Sequence, residues 1–100
     1  MKQRWRHWWY GSVVNAIKHY PGIKADTSRQ AQEYAKAIEA AIKETLEMED
    51  GPLRIKAMDL IFFKRTCTVD GAALRVYASV RTVQRWTSAF IDLVGEKVGY

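Results

Sequence analysis
Cysteine is almost missing from this 100-residue chain, since Cys67 stands alone. That excludes an internal disulfide framework and a cysteine-built metal cluster, and it fits a reducing compartment. Histidine occurs twice, at His7 and His19, twelve positions apart with no acid or cysteine in register, so no metal site is expected. Two prolines and six glycines are too few and too scattered for a phosphate-cradling loop, a repeat or a low-complexity segment. No apolar run reaches the 18 residues a membrane span needs, and Met1 to Tyr10 lacks the apolar stretch of a signal peptide. These absences describe a soluble intracellular protein without a membrane partner. Catalytic sets are missing as well. Ser12, Ser28, Ser79 and Ser88 have no histidine in register, Cys67 has no base, and Glu44, Glu47, Glu49 and Asp50 read as the wet end of a helix. No enzyme activity, cofactor or metal is expected.

What the chain does have is apolar content of 48% with 27% charge, the composition of a folded domain. One hundred residues suffice for one core and not two, so residues 1–100 are expected to form a single domain. The net charge is +5 and unevenly spread. Residues 1–25 carry five bases and no acid, residues 26–50 carry three bases against seven acids, and residues 51–100 carry eight bases against four acids. An anionic partner is therefore expected at the two ends and not at the acidic middle.

Periodicity divides the chain into about five helices. Residues 2–20 keep Trp5, Trp9, Val13, Ala16, Ile17 and Tyr20 at helical spacing with Trp8 widening the apolar face, and Pro21-Gly22 is expected to stop the helix. The arginine and tryptophan interleaving in RWRHWW also suits a stacking platform for single-stranded nucleic acid, against the plainer role of indoles in a core. Asp26-Thr27-Ser28 offers a cap, completed by Gln30, for a helix to about Glu49 whose inward stripe is Ala31, Tyr34, Ala35, Ile38, Ala41, Ile42, Thr45 and Leu46. Asp50-Gly51-Pro52 restarts the chain, and a third helix to about Arg65 turns Leu53, Ala57, Leu60, Ile61 and Lys64 to one side and Met58 and Phe62 to another. The halves 1–50 and 52–100 form the helical N-terminal part and the part that carries the functional motif.

That motif is TVDGAALRVYASVRTVQRWTSAF, Thr68 to Phe90, which reads as a helix-turn-helix. Ala73, Val76, Ala78, Val83 and Trp86 fall where two short helices crossing tightly bury their contact faces. Thr68 caps the first helix, which ends at Tyr77. Ser79 caps the second through the amide of Arg81 or Thr82, with Ala78 stapled on Val83. Tyr77 stands where many such motifs place glycine to reach a left-handed turn, at a cost on the order of 1 kcal/mol for another residue. The last helix runs inward through Val83, Trp86, Phe90, Leu93 and Val94 and stops at Gly99. Its outward face then carries Val80, Arg81, Gln84, Arg85 and Ser88, which with Ser79 are the candidate contacts to double-stranded DNA. Lys64 and Arg65 join them as candidates for the sugar-phosphate backbone.

The stretch MDLIFFKRTCTVDGAALRVYASVRTVQRWTSAFIDLVGEKVGY resembles the C-terminal region of small phage-encoded transcription activators of the RinA-like and ArpU-like type, whose last helices resemble the DNA-reading region of bacterial sigma factors. Ala73, Val76, Ser79, Thr82, Val83 and Trp86 carry the resemblance, with LIFFK before them, and it extends over residues 52–100. More weakly, WRHWWY and HYPG are similar to the opening of those proteins. The resemblance implies a regulator of late genes or packaging in a phage or prophage, acting in the bacterial cytoplasm. Two rival readings share the same helices: an interaction module for RNA polymerase or a phage protein, and a DNA-packaging recognition subunit. The aromatic area of Trp5, Trp8, Trp9 and Tyr10, together with Ile91, Leu93, Val94 and Val98 late in the last helix, exceeds what one small bundle is expected to bury and points to a homodimer.

Overall fold
The computed structural model describes residues 8–23, 25 and 28–100. Among them the chain is all-α, with six helices and no strand. They are α1 (Tyr10–Lys18), α2 (Tyr20–Ile23), α3 (Arg29–Leu46), α4 (Gly51–Met58), α5 (Val69–Val76) and α6 (Val80–Val98), with a π-helical segment, Asp59–Phe63, continuing α4. The count passes the expected five because residues 20–23 form a helical turn of their own. Pro21 lies in the first turn of that piece, where a missing N–H costs nothing, so it begins a helix where it was expected to end one. Trp5, His7, Asp26 and Thr27 of the expected first helix and capping box lie outside the described residues.

Local chemistry explains most boundaries. The Ser28 hydroxyl accepts the Ala31 amide at 3.2 Å and caps α3. That helix closes at Leu46, three residues short of the expected Glu49, and the chain turns through Glu47 to Asp50. Asp50 sits in the left-handed region at φ 58°. Gly51 follows so close beneath α3 that a Cβ there would overlap the backbone of Thr45 and Leu46, which makes glycine a packing requirement at this corner. Because the turn comes early, Leu46 and Leu53 face outward and not into the stripes they were expected to fill.

The third helix also differs from its expected uniform period. After Met58 the ladder widens, the Lys64 amide donates to the Asp59 carbonyl at 2.7 Å, and the Leu60 carbonyl accepts from both Thr66 and Cys67. The wider turn lets Ala57 and Met58, then Leu60 and Phe62, all enter the core from a single run. It also turns Lys64 away from the stripe predicted for it, onto the surface in an ion pair with Asp59 at 3.1 Å.

The core sits between α3, α6 and α1. Val13 and Ile17 of α1, Ile38 and Ala41 of α3, Ala57 and Met58 of α4, Ala72 of α5, and Val83 and Val94 of α6 are fully buried. Each large aliphatic among them contributes about 1.5–3 kcal/mol of burial. Trp9 lies on α6 at Gly95, where a Cβ would overlap the indole ring, and stacks on Tyr100 at 5.6 Å. Trp8 behaves differently from the expectation: it is 83% exposed and touches the fold through Tyr100. The late apolar residues of α6 are largely used within the chain, since Ile91 and Val94 are buried and Leu93 and Val98 pack partly against the core. The Tyr34 and Tyr100 hydroxyls meet at 2.6 Å, and Lys97 pairs with Glu44 at 2.8 Å, so the end of α6 is fastened to α3.

Candidate nucleic-acid interface
Two short hydrogen-bond programmes position α5 and α6. The Thr68 hydroxyl accepts the Gly71 amide at 3.2 Å and starts α5 one residue later. The Ser79 hydroxyl accepts the Thr82 amide at 3.0 Å and donates to the Thr82 hydroxyl at 2.8 Å, which starts α6 at Val80. Between the helices lie only Tyr77, Ala78 and Ser79. Tyr77 is left-handed at φ 57°, and the Ala78 amide reaches back to the Ala73 carbonyl at 3.0 Å, closing the end of α5. Ala72, Ala73 and Val76 on one side and Val83, Trp86 and Phe90 on the other are buried, so the two helices bury the faces that their spacing marked.

With that face inward, Val80, Arg81, Gln84, Arg85 and Ser88 are exposed together along α6 from its first residue. Helical spacing puts Arg81, Gln84, Arg85 and Ser88 three and four apart, on adjacent rows of one surface. From Gly71 to Ile91 there is no acidic residue, while Arg75, Arg81 and Arg85 are present. None of these three arginines pairs with an acid among the described residues. An exposed guanidinium without a partner keeps all five donors for a phosphate or a guanine edge. Trp86 is held beneath this surface. It is 6% exposed, and the Arg54 guanidinium lies 5.7 Å from its ring centroid while Arg54 Nε donates to the Glu49 carbonyl.

The remaining candidates divide. Lys64 is exposed but shares its charge with Asp59, and Arg65 lies exposed in the following turn at φ 55°, off α6. Arg75, in the last turn of α5, belongs to the exposed set although the outward-face reading did not include it. Its place between buried Ala73 and Val76 is the sequence signal that would have found it, because a residue flanked by inward positions at that spacing points out.

A cleft of about 340 Å³ between α1 and the start of α3 is lined by Ser12, Asn15, His19, Ser28 and Tyr34 among others. It brings together serines and a histidine that lie far apart in sequence. The His19 Nδ1 is 2.8 Å from the Asn15 carbonyl, and the Ser28 hydroxyl caps α3, so both groups have structural roles there. Among the described residues no group of three or more histidine, cysteine, aspartate or glutamate side chains could hold a metal, and no helix is long and apolar enough to cross a membrane. Compared with protein-family models, curated proteins and solved structures, the chain matches none.

Proposed function
We propose that this protein binds double-stranded DNA through a helix-turn-helix formed by α5 and α6 and regulates transcription in a phage or prophage within the bacterial cytoplasm. One observation carries the DNA reading: α6 begins at a capped serine and exposes Arg81, Gln84, Arg85 and Ser88 together, with Val83, Trp86 and Phe90 buried behind them. A helix of this kind supplies donors for the base edges of a major groove from its first two turns, and its arginines supply phosphate contacts. The net charge of +5 and the acid-free stretch around α6 favour the same polyanion. The resemblance of residues 52–100 to RinA-like and ArpU-like activators supports transcription as the setting, and binding near packaging sites in place of promoters would reassign it to packaging. The absence of any catalytic constellation among the sequence candidates favours a binding protein over an enzyme.

The test is a mobility shift on duplex DNA from the protein's own genomic neighbourhood, repeated across salt concentrations. Replacing Arg81 and Arg85 together with alanine should abolish the shift while leaving the circular dichroism spectrum unchanged. Each phosphate contact removed should also flatten the salt dependence of affinity by about one unit of slope. Wild-type affinity in the folded double variant refutes the assignment. Binding to RNA polymerase or another phage protein with no steep salt dependence on DNA would instead support the interaction-module reading.

A further inference from the structure
Three residues other than glycine are left-handed among the described residues: Asp50, Arg65 and Tyr77. Aspartate tolerates this region better than most residues, and a turn arginine extends into water. Tyr77 is the anomaly. Its backbone conformation is the one glycine adopts without strain, and at 95% exposure its ring has almost no contact with the rest of the chain. Its Cβ therefore strains the turn, and the ring it carries gives the free fold nothing in return. Three residues before it in the chain Leu74 is 78% exposed, and three residues after it Val80 is 38% exposed. This small apolar patch lies at the start of α6, inside the acid-free stretch that holds Arg75, Arg81 and Arg85.

Building on the DNA-binding reading above, we propose that Tyr77, with Leu74 beside it, packs against the DNA backbone that borders the groove entered by α6, with its ring on the deoxyribose and its hydroxyl on a phosphate. The charges around the patch favour this occupant. Arginines flank it on both sides with no carboxylate among them, which suits a polyanion whose sugars are its apolar portion. The contact would set how deeply and at what angle α6 enters the groove, so Tyr77 acts on affinity for every sequence, whereas Gln84 acts on sequence preference.

Substituting glycine separates folding from binding, because the two effects have opposite signs. Tyr77→Gly should melt no lower than the wild type, and by relief of the left-handed strain about 5 °C higher. On a fluorescently labelled mixed-sequence duplex of about 30 base pairs at low salt, the same variant should bind about tenfold more weakly than the wild type. Tyr77→Phe, which keeps the ring, should recover part of that loss. A Tyr77→Gly variant that melts as expected and binds the duplex like the wild type, while the Arg81 and Arg85 double variant does not bind, overturns this proposal alone and assigns the patch to a protein contact. A wild-type chain that fails to bind the duplex with a salt-dependent affinity overturns the proposal and the DNA reading together.

Discussion
Tyr20 and Tyr34 show how single side chains fasten the outer helices to α3. The Tyr20 hydroxyl donates to Glu39 at 2.9 Å, and burial, helped by that carboxylate, pushes its pKa up to about 12. Burial and the Tyr100 hydroxyl push Tyr34 up as well. A phenol whose folded pKa is raised gives its full stabilisation below the unfolded value of about 10 and loses it as pH rises through the folded value. The contribution of these two phenols should therefore be intact below about pH 10 and be lost as pH rises from there toward about pH 12 and beyond. Tyr20→Phe should flatten part of that decline, as thermal melts followed by circular dichroism across this range will show. Trp86 supplies a second prediction at this scale. Its ring is buried between Arg54 and the core, so Trp86→Ala should cost about 3–5 kcal/mol and lower the melting temperature steeply. A melting temperature equal to the wild type with DNA binding lost would make Trp86 a contact residue instead.

At the scale of elements, the ends of α5 and α6 are set by single hydroxyls. Ser79→Ala removes the acceptor of the Thr82 amide and should destabilise the fold by about 1 kcal/mol, measurable by urea denaturation, with a greater loss of DNA affinity than of stability because the first turn of α6 carries Val80 and Arg81. These caps were legible in the sequence. A side chain bonding an amide three residues on, or a glycine turning left-handed, is a local event, so Thr68, Ser79 and Gly99 marked helix ends without knowledge of the fold. The inward stripe of α6 was legible for the same reason, and with it the exposure of Arg81, Gln84 and Arg85. The π-helical segment was not legible. Its wider turn is chosen by what Leu60 and Phe62 can reach in the core, which is tertiary packing overriding a uniform period. Leu46 and Leu53 were misplaced because an apolar residue at the right offset says nothing about whether another element reaches it, and both lie in helix ends beside the corner between α3 and α4. The outward position of Leu74 could be read as that of Arg75 could, from its place between Ala73 and Val76, whereas that of Tyr77 was hidden because its left-handed turn leaves the helical spacing.

For the whole molecule, the question is what two copies would share. Trp9, Ile91 and Val94 are spent on the chain's own core, which leaves, among the described residues, Trp8 and the partly exposed Tyr100, 5.3 Å apart between ring centroids, as aromatic surface at the end of α6. A homodimer through this pair would leave Arg81 and Arg85 of each copy for paired half-sites on DNA. Light scattering over a concentration series should then show a dimer mass by about 100 μM, and Trp8→Ser should shift it toward the monomer. A wild-type monomer persisting at that concentration would end the dimer proposal.

The π-helical segment has a genetic consequence. Deleting one codon between Asp59 and Phe63 would let the run relax into ordinary α-helix, a local change that looks harmless. The four residues left would turn about as far around the axis as the five did in the wider coil, so the residues after them would keep their facing, and the loss would be confined to the place of Leu60 or Phe62 in the core. The corner at Glu47–Asp50 has no such spare residue, because Gly51 is packed against the backbone of Thr45 and Leu46. Residues 59–63 should therefore tolerate a one-residue deletion better than a one-residue insertion, as melting temperatures of the two variants will show.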